Sequence, residues 1–208
     1  PAWSLIVSFK SLIVLFISLI VWFCSCTVLF NSSINAYFSK SITMNDFDYV
    51  REHVRQVPDF PKPGIMFYDV TSIFTNPPVF KYCIDKMVEL CKEKNIDGIA
   101  GIESRGFLFA APLAEKLGLP LVLIRKKGKL PGDTYECSYS LEYGTATVEV
   151  HKEDIKKGQN ILVVDDLIAT GGTLSAAKNL IEQGGAKVTD ILGVIGLPFL
   201  NYEKNLAP

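Results

Sequence analysis

The stretch "VVDDLIATGGTLSAA", residues 163–177, runs from an apolar segment through a Thr-Gly-Gly-Thr loop into a helical pattern, with two adjacent carboxylates, Asp165 and Asp166, set before the loop. Backbone amides of the loop converge on one concavity if the glycines take conformations closed to other residues, and the following helix adds its positive end. Ala169, Thr170, Gly171, Gly172 and Thr173 therefore read as a phosphate seat, with the two threonines adding hydroxyl donors. A polyphosphate nucleotide fits poorly, because no lysine stands where a P-loop needs one and the neighbouring carboxylates repel the added charge. The dinucleotide fingerprint G-x-G-x-x-G is absent as well. A sugar monophosphate satisfies both halves of the motif. Its single phosphate takes the loop, and a vicinal diol a few bonds away donates to carboxylates that only accept.

Working outward, apolar β-branched runs alternate with polar loops and helical patterns, the signature of an α/β fold with a central, mainly parallel sheet flanked by helices. "DGIAGI" (97–102) leads into "ESRG" and the helix "FLFAAPLAEKLG"; "LPLVLIR" (119–125) leads into "KKGKLPGDTYECSYSLEYG", which is too long and polar for a simple turn. "QNILVVDD" (159–166) leads into the phosphate seat and a helix from Thr173, "PPVFKYCIDKMVELCKEKN" has helical spacing behind a proline start, and "AKVTDILGVIGL" reads as a further buried strand. Ligands of an open parallel sheet sit outside the carboxyl ends of its strands. That edge collects Glu103, Ser104 and Arg105, then Arg125, Lys126, Lys127 and Lys129, then Asp165, Asp166, Thr170 and Thr173.

The 208 residues, 49% hydrophobic, suffice for one well-buried domain and are few for two. A formal charge of −1 and a pI near 6.2 argue against a general binder of nucleic acid or of an anionic membrane surface. No charged side chain occurs from residue 11 to 39, and "SLIVLFISLIVWFCSCTVLF" (11–30) is as long and apolar as a bilayer-spanning helix. Residues 1–43 read either as an anchor or targeting segment or as an upstream stretch outside the working protein, Met44 being the first methionine. Residues 44–208 read as the globular domain, with 19 basic side chains against 22 acidic ones once Lys10 and Lys40 are set aside. The cysteines form no C-x-x-C pair, and no histidine cluster has metal-ligand spacing, so neither a zinc site nor a disulfide framework is indicated.

"VVDDLIATGGT" resembles the phosphoribosyl pyrophosphate signature of type I phosphoribosyltransferases. "PDFPKPGIMFYDVTSIF" (58–74), "GIESRGFLF" (101–109), and "LIRKKGKLPG" followed by "SYSLEYG" (123–132, 138–144) are similar to the adenine phosphoribosyltransferases among them, and the likeness covers the chain from Met44 onward. The resemblance implies the type I fold with a flexible lid loop. It also implies transfer of ribose 5-phosphate from phosphoribosyl pyrophosphate to adenine, giving AMP and pyrophosphate, with Mg²⁺ held mainly through the substrate and no dedicated protein ligand. A cytoplasmic homodimer is the implied state, or a membrane-anchored form if residues 11–30 are an anchor.

Carried onto this sequence, the resemblance places the diol on Asp165 and Asp166 and the 5-phosphate on residues 169–173. Pyrophosphate falls to Ser104, Arg105, Arg125, Lys126 and Lys129, the Arg125-type residue reaching across a dimer interface. Adenine falls to Met66, Phe67, Leu167 and the backbone of Arg105. Glu142 is the implied acid/base for the imidazole-side proton, and Tyr143 helps close the lid. A non-proline cis peptide is implied at Ser104–Arg105. Two departures stand out: Tyr68 occupies a place where some members carry arginine, and the chain stops at Pro208 where members usually run on through another apolar segment. Two other readings stay open. One is a non-enzymatic sensor on the same fold, though such proteins normally append a nucleic-acid-binding module and none is recognisable. The other is transfer to hypoxanthine, guanine or a pyrimidine.

Overall fold

The computed structural model describes residues 12–13, 30–31, 44–140 and 144–206. Its first four residues form a minimal antiparallel pairing of β1 (Leu12–Ile13) with β2 (Phe30–Asn31). The remainder of the apolar 11–30 run lies outside the described residues, among which no helix is long and apolar enough to cross a membrane. Helix α1 (Met44–Arg51) opens the globular part and is followed by a small antiparallel pair, β3 (Arg55–Pro58) and β4 (Met66–Asp69), then α2 (Thr71–Phe74) and α3 (Pro77–Cys91). Prolines 77 and 78 open α3 where amide donors would have no intrahelical acceptor anyway. Its buried Val79, Cys83, Ile84, Met87 and Cys91 recur at helical spacing along one face.

The main sheet uses β5 (Gly98–Ile102), β6 (Leu121–Lys126), β7 (Thr134–Ser140), β8 (Thr145–His151), β9 (Asn160–Ile168) and β10 (Lys187–Gly196). Helix α4 (Gly106–Leu117) joins β5 to β6, α5 (Gly172–Gln183) joins β9 to β10, and α6 (Glu203–Leu206) comes last. Strand order is β10-β9-β5-β6-β8-β7. The first four are parallel, whereas β8 runs antiparallel to β6 and β7 antiparallel to β8. Side chains on the parallel strands alternate between two cores, as a period of two requires. Ile99, Leu162, Val164, Leu192 and Val194 pack with α3 and α4, while Ala100, Ile102, Ile161, Val163 and Ile191 pack with α5 and the β7–β8 hairpin. Gly101 faces α4 at a point where a Cβ would come within 2.8 Å of the Ala110 Cβ, so glycine lets the helix lie against the strand.

Two elements differ from the sequence expectation. Much of the polar stretch after β6 is the β7–β8 hairpin, which extends the sheet antiparallel beyond β6. Strand β9 also runs on through Leu167 and Ile168, which pair with Ile195 and Gly196 of β10, so Asp165 and Asp166 lie within the strand and not at its end. The chain leaves β5 toward one edge of the sheet through α4 and leaves β9 toward the other through α5. This divergence opens a crevice at the carboxyl ends of β5 and β9, the place where open α/β sheets take their ligands.

Candidate active site

A cleft of about 320 Å³ occupies that crevice. Ile102, Glu103, Ser104 and Arg105 line it from the β5–α4 connection, Lys126 from the end of β6, Tyr139 from β7, Asp165, Asp166 and Leu167 from β9, and Thr173 from the start of α5. Close packing sets the acidic half. A Cβ on Gly106 would lie 2.9 Å from the Val164 carbonyl oxygen and 3.0 Å from Asp165 Oδ1, so the first turn of α4 rests directly on β9. Arg105, one residue earlier, thereby reaches Asp166: its Nε donates to Asp166 Oδ2 at 2.6 Å, a charge-assisted contact to a carboxylate that is only 4% exposed. The Asp166 amide donates in turn to Asp165 Oδ1 at 2.8 Å. The cis peptide lies at Glu103–Ser104, one step before the Ser104–Arg105 position implied by the resemblance.

Asp165 holds its proton well above the usual aspartate range, because burial and the neighbouring Asp166 charge outweigh the Asp166 amide and the Arg105 charge. A raised folded-state value means that the native chain binds this proton more tightly than the unfolded chain does. Its contribution to stability is therefore full below the ordinary aspartate pKa and is lost as pH rises through the folded value. Asp165→Asn, which mimics the protonated form, is expected to raise the melting temperature at neutral pH, with a gain that shrinks as the pH falls toward 4, the ordinary aspartate value being about 3.9. Thermal melts of both proteins from acid to neutral pH measure this, and a gain that is equal at every pH contradicts the assignment.

Lys126 lines the cleft, but Arg125 turns inward: its Nε donates to Glu103 Oε2 at 3.2 Å and its Nη1 to the Lys129 carbonyl at 3.0 Å, both on its own chain. The Lys126 amide adds a bond to the same Glu103 oxygen at 3.0 Å. Burial raises the Glu103 carboxyl, but the Lys126 amide and the Arg125 guanidinium bring it below the usual glutamate value. Neither Arg125 nor Lys129 lines the cleft.

Of the residues expected to seat a phosphate, Thr173 lines the cleft with the aspartates; Ala169, Thr170 and Gly171 form the turn before α5, and Gly172 is its first residue. Gly171 has φ +83°, the left-handed conformation the loop was expected to need. A Cβ there would come within 3.1 Å of Leu206 Cγ and the Tyr202 carbonyl, so the C-terminal segment packs against the seat. Tyr139, which sequence reasoning missed, sits on the other side, 3.5 Å from where a Gly172 Cβ would be. Its signal was present in "TYECSYS", where Tyr135, Cys137 and Tyr139 alternate with polar residues at strand spacing.

Of the adenine candidates, Leu167 lines the cleft, whereas Met66 and Phe67 lie on β4 in the small sheet. Met66 is 42% exposed, and Phe67 packs edge-on against Phe60 with ring centroids 5.0 Å apart. At the end of the same strand, hydrogen bonding from Thr71 holds the Asp69 carboxyl below its usual value, and the charges of Arg55 and Arg105 add to this. Glu142 and Tyr143 lie outside the described residues.

Residues 69–197, which contain all of these cleft elements, match the family described as phosphoribosyl transferase domain. The chain belongs to this family. Its relatives within the family include adenine phosphoribosyltransferases. The one from Treponema denticola is 65% identical over 153 residues, spanning 74% of this chain and 80% of the relative. The solved structure from Thermoanaerobacter pseudethanolicus superposes with a TM-score of 0.74 at 42% identity, covering 77% of this chain and 93% of that one. The enzyme from Saccharomyces cerevisiae, solved with an imino-altritol bisphosphate and adenine, gives 0.74 at 40% identity, covering 78% and 95%. The phosphoribosyltransferase fold expected from the sequence is thus the fold present.

Proposed function

We propose that the chain transfers ribose 5-phosphate from phosphoribosyl pyrophosphate to adenine. The bond from the anomeric carbon to the pyrophosphate oxygen breaks, the adenine imidazole nitrogen bonds to that carbon, and AMP and pyrophosphate leave. The observation that carries this reading is that one cleft gathers both signs of charge. Asp165 and Asp166 with Thr173 offer acceptors and a hydroxyl suited to a sugar phosphate, and Lys126, with Arg105 paired to Asp166 at 2.6 Å, offers the positive charge suited to a leaving group gaining negative charge. Preorganised opposite charges stabilise each developing charge. Asp165 and Asp166 accept from the diol, the 169–173 turn seats the 5-phosphate, and Ser104, Arg105 and Lys126 meet the pyrophosphate. Arg125 and Lys129 act on it through the turn they share.

Leu167 supports one face of the base, with Met66 and Phe67 approaching from the β3–β4 sheet. Glu142 takes the proton released from adenine, and Tyr143 helps close the lid. The oxygen-rich cleft fits Mg²⁺, a hard cation, held mainly through the donor's own oxygens. When bound, Mg²⁺ neutralises charge on the departing pyrophosphate. A cytoplasmic homodimer completes the reading, with the half-exposed apolar side chains Met66 and Leu108 supporting a second copy as cover.

The test uses the full chain with phosphoribosyl pyrophosphate, Mg²⁺ and adenine, hypoxanthine or guanine in turn, with nucleotide formation followed chromatographically. AMP from adenine alone is expected. No product from adenine, or equal yield from hypoxanthine, overturns the reading.

A further inference from the structure

The end of β6 and the turn after it carry the basic residues Lys126, Lys127 and Lys129, and a buried acid holds the turn in place. Glu149, opposite Arg125 in the β6–β8 register, is 3% exposed. Its Oε1 accepts the amide hydrogens of Lys129 at 2.8 Å and Leu130 at 2.7 Å. Burial raises this carboxyl, yet the amides of Leu130, Gly128 and Lys129 bring it below the ordinary glutamate value. The Lys127 amide bonds the Thr147 carbonyl at 3.0 Å, and Arg125 ties the Lys129 carbonyl to Glu103. A continuous path of hydrogen bonds thus runs from Glu149 through the 126–130 turn to Glu103, which lines the cleft between Ile102 and Ser104.

A turn that needs only to fold can leave its amides to water, without carrying a carboxylate into the interior, where an ion is expensive unless its partners converge on it. Here they do converge, and charge-assisted bonds of this kind are shorter and more sharply directed than neutral ones. We propose that Glu149 is a positioning residue for the pyrophosphate half of the cleft. It fixes the 126–130 turn so that Lys126 and the Glu103–Ser104 edge hold their places, and it acts on the donor and on pyrophosphate and not on adenine. The proposal rests on the reading of this cleft as a phosphoribosyl pyrophosphate site.

Full-length Glu149→Gln keeps the shape and one accepting oxygen but loses the charge and turns an amide donor toward the turn. Pyrophosphate affinity, measured calorimetrically without turnover, is expected to weaken about tenfold, and the KM for phosphoribosyl pyrophosphate to rise by a similar factor, the scale of losing one charged hydrogen bond. The KM for adenine is expected to stay at the wild-type value. Adding Lys126→Ala to Glu149→Gln is expected to cost less than it does in the wild type, because both act through one turn. A lower melting temperature with unchanged donor KM, or donor and adenine KM raised together, overturns the proposal. If Glu149→Gln fails to fold, Glu149→Asp, which keeps the charge on a shorter stem, is judged by the same split. Wild-type protein that forms no AMP sinks the functional reading instead, so the two failures are distinguishable.

Discussion

Asp166→Asn is expected to lower AMP formation about 10²–10³-fold, the scale of removing one preorganised electrostatic partner from a reacting centre. The side chain keeps its size, and its oxygen still accepts from Arg105 Nε, so the 2.6 Å contact survives as a weaker, neutral-acceptor bond. On the proposed mechanism, what disappears is the negative charge beside a sugar that turns positive as its bond to pyrophosphate lengthens. A loosened Arg105 does not compensate, because its proposed place at the pyrophosphate depends on the aspartate that anchors it. Stability changes little by comparison. The Arg105 side chain is 40% exposed, so water replaces much of the lost partner, and the loss stays near about 1 kcal/mol. In a domain of this size each such unit moves the melting temperature by about 2–4 °C. Initial rates and a thermal melt on the same preparation separate the two effects. Wild-type rates in a variant with an unchanged melt would place the sugar elsewhere.

The parts of this molecule that were legible from sequence are those whose signal is local. Strands β5, β9 and β10 are covered on both faces and read as continuous apolar runs, and the helices α3, α4 and α5 show their buried stripe. The double aspartate was legible because two carboxylates inside so apolar a strand have no packing explanation. The β7–β8 hairpin was not, because its strands are half exposed and alternate polar with apolar in a stretch rich in glycine and lysine. Tyr139 went with it, although the period-two spacing held the clue. The partners of Arg125 on its own chain were beyond reach for another reason. Its partners come from positions 22 residues away at Glu103 and four away at Lys129, and only the register of β6 on β8 brings Glu149 under the same turn. Charge type names Arg125 for pyrophosphate, and the structure adds that its guanidinium also ties Glu103 to the Lys129 carbonyl of its own chain. The left-handed turn at Gly171 was legible in the paired glycines, but its contact with Tyr202 and Leu206 depends on where the C-terminal segment folds back, which no local pattern encodes.

Gly106→Ala is the second large effect expected, and it tests how the acidic half of the cleft is built. The added methyl would meet the Val164 carbonyl oxygen at 2.9 Å and the Asp165 Cα at 3.1 Å, both backbone atoms that cannot rotate aside. The start of α4 must therefore move away from β9. Overpacking of this kind costs about 1–3 kcal/mol. The larger consequence falls on activity, because Arg105 precedes Gly106 and travels with the helix while Asp166 stays with the sheet. A displacement of about 1 Å between reacting groups is enough to lose about 10²-fold in rate. Gly118→Ala, at the other end of the same helix, is the control. Gly118 has φ +65° with no atom within 4 Å of a Cβ, so alanine there carries backbone strain of about 1–2 kcal/mol but pushes nothing. Both variants should melt earlier than the wild type; only Gly106→Ala should lose activity well below its melting temperature. Equal activity in the two at matched fractions folded would mean that the contact between α4 and β9 does not set the distance from Arg105 to Asp166.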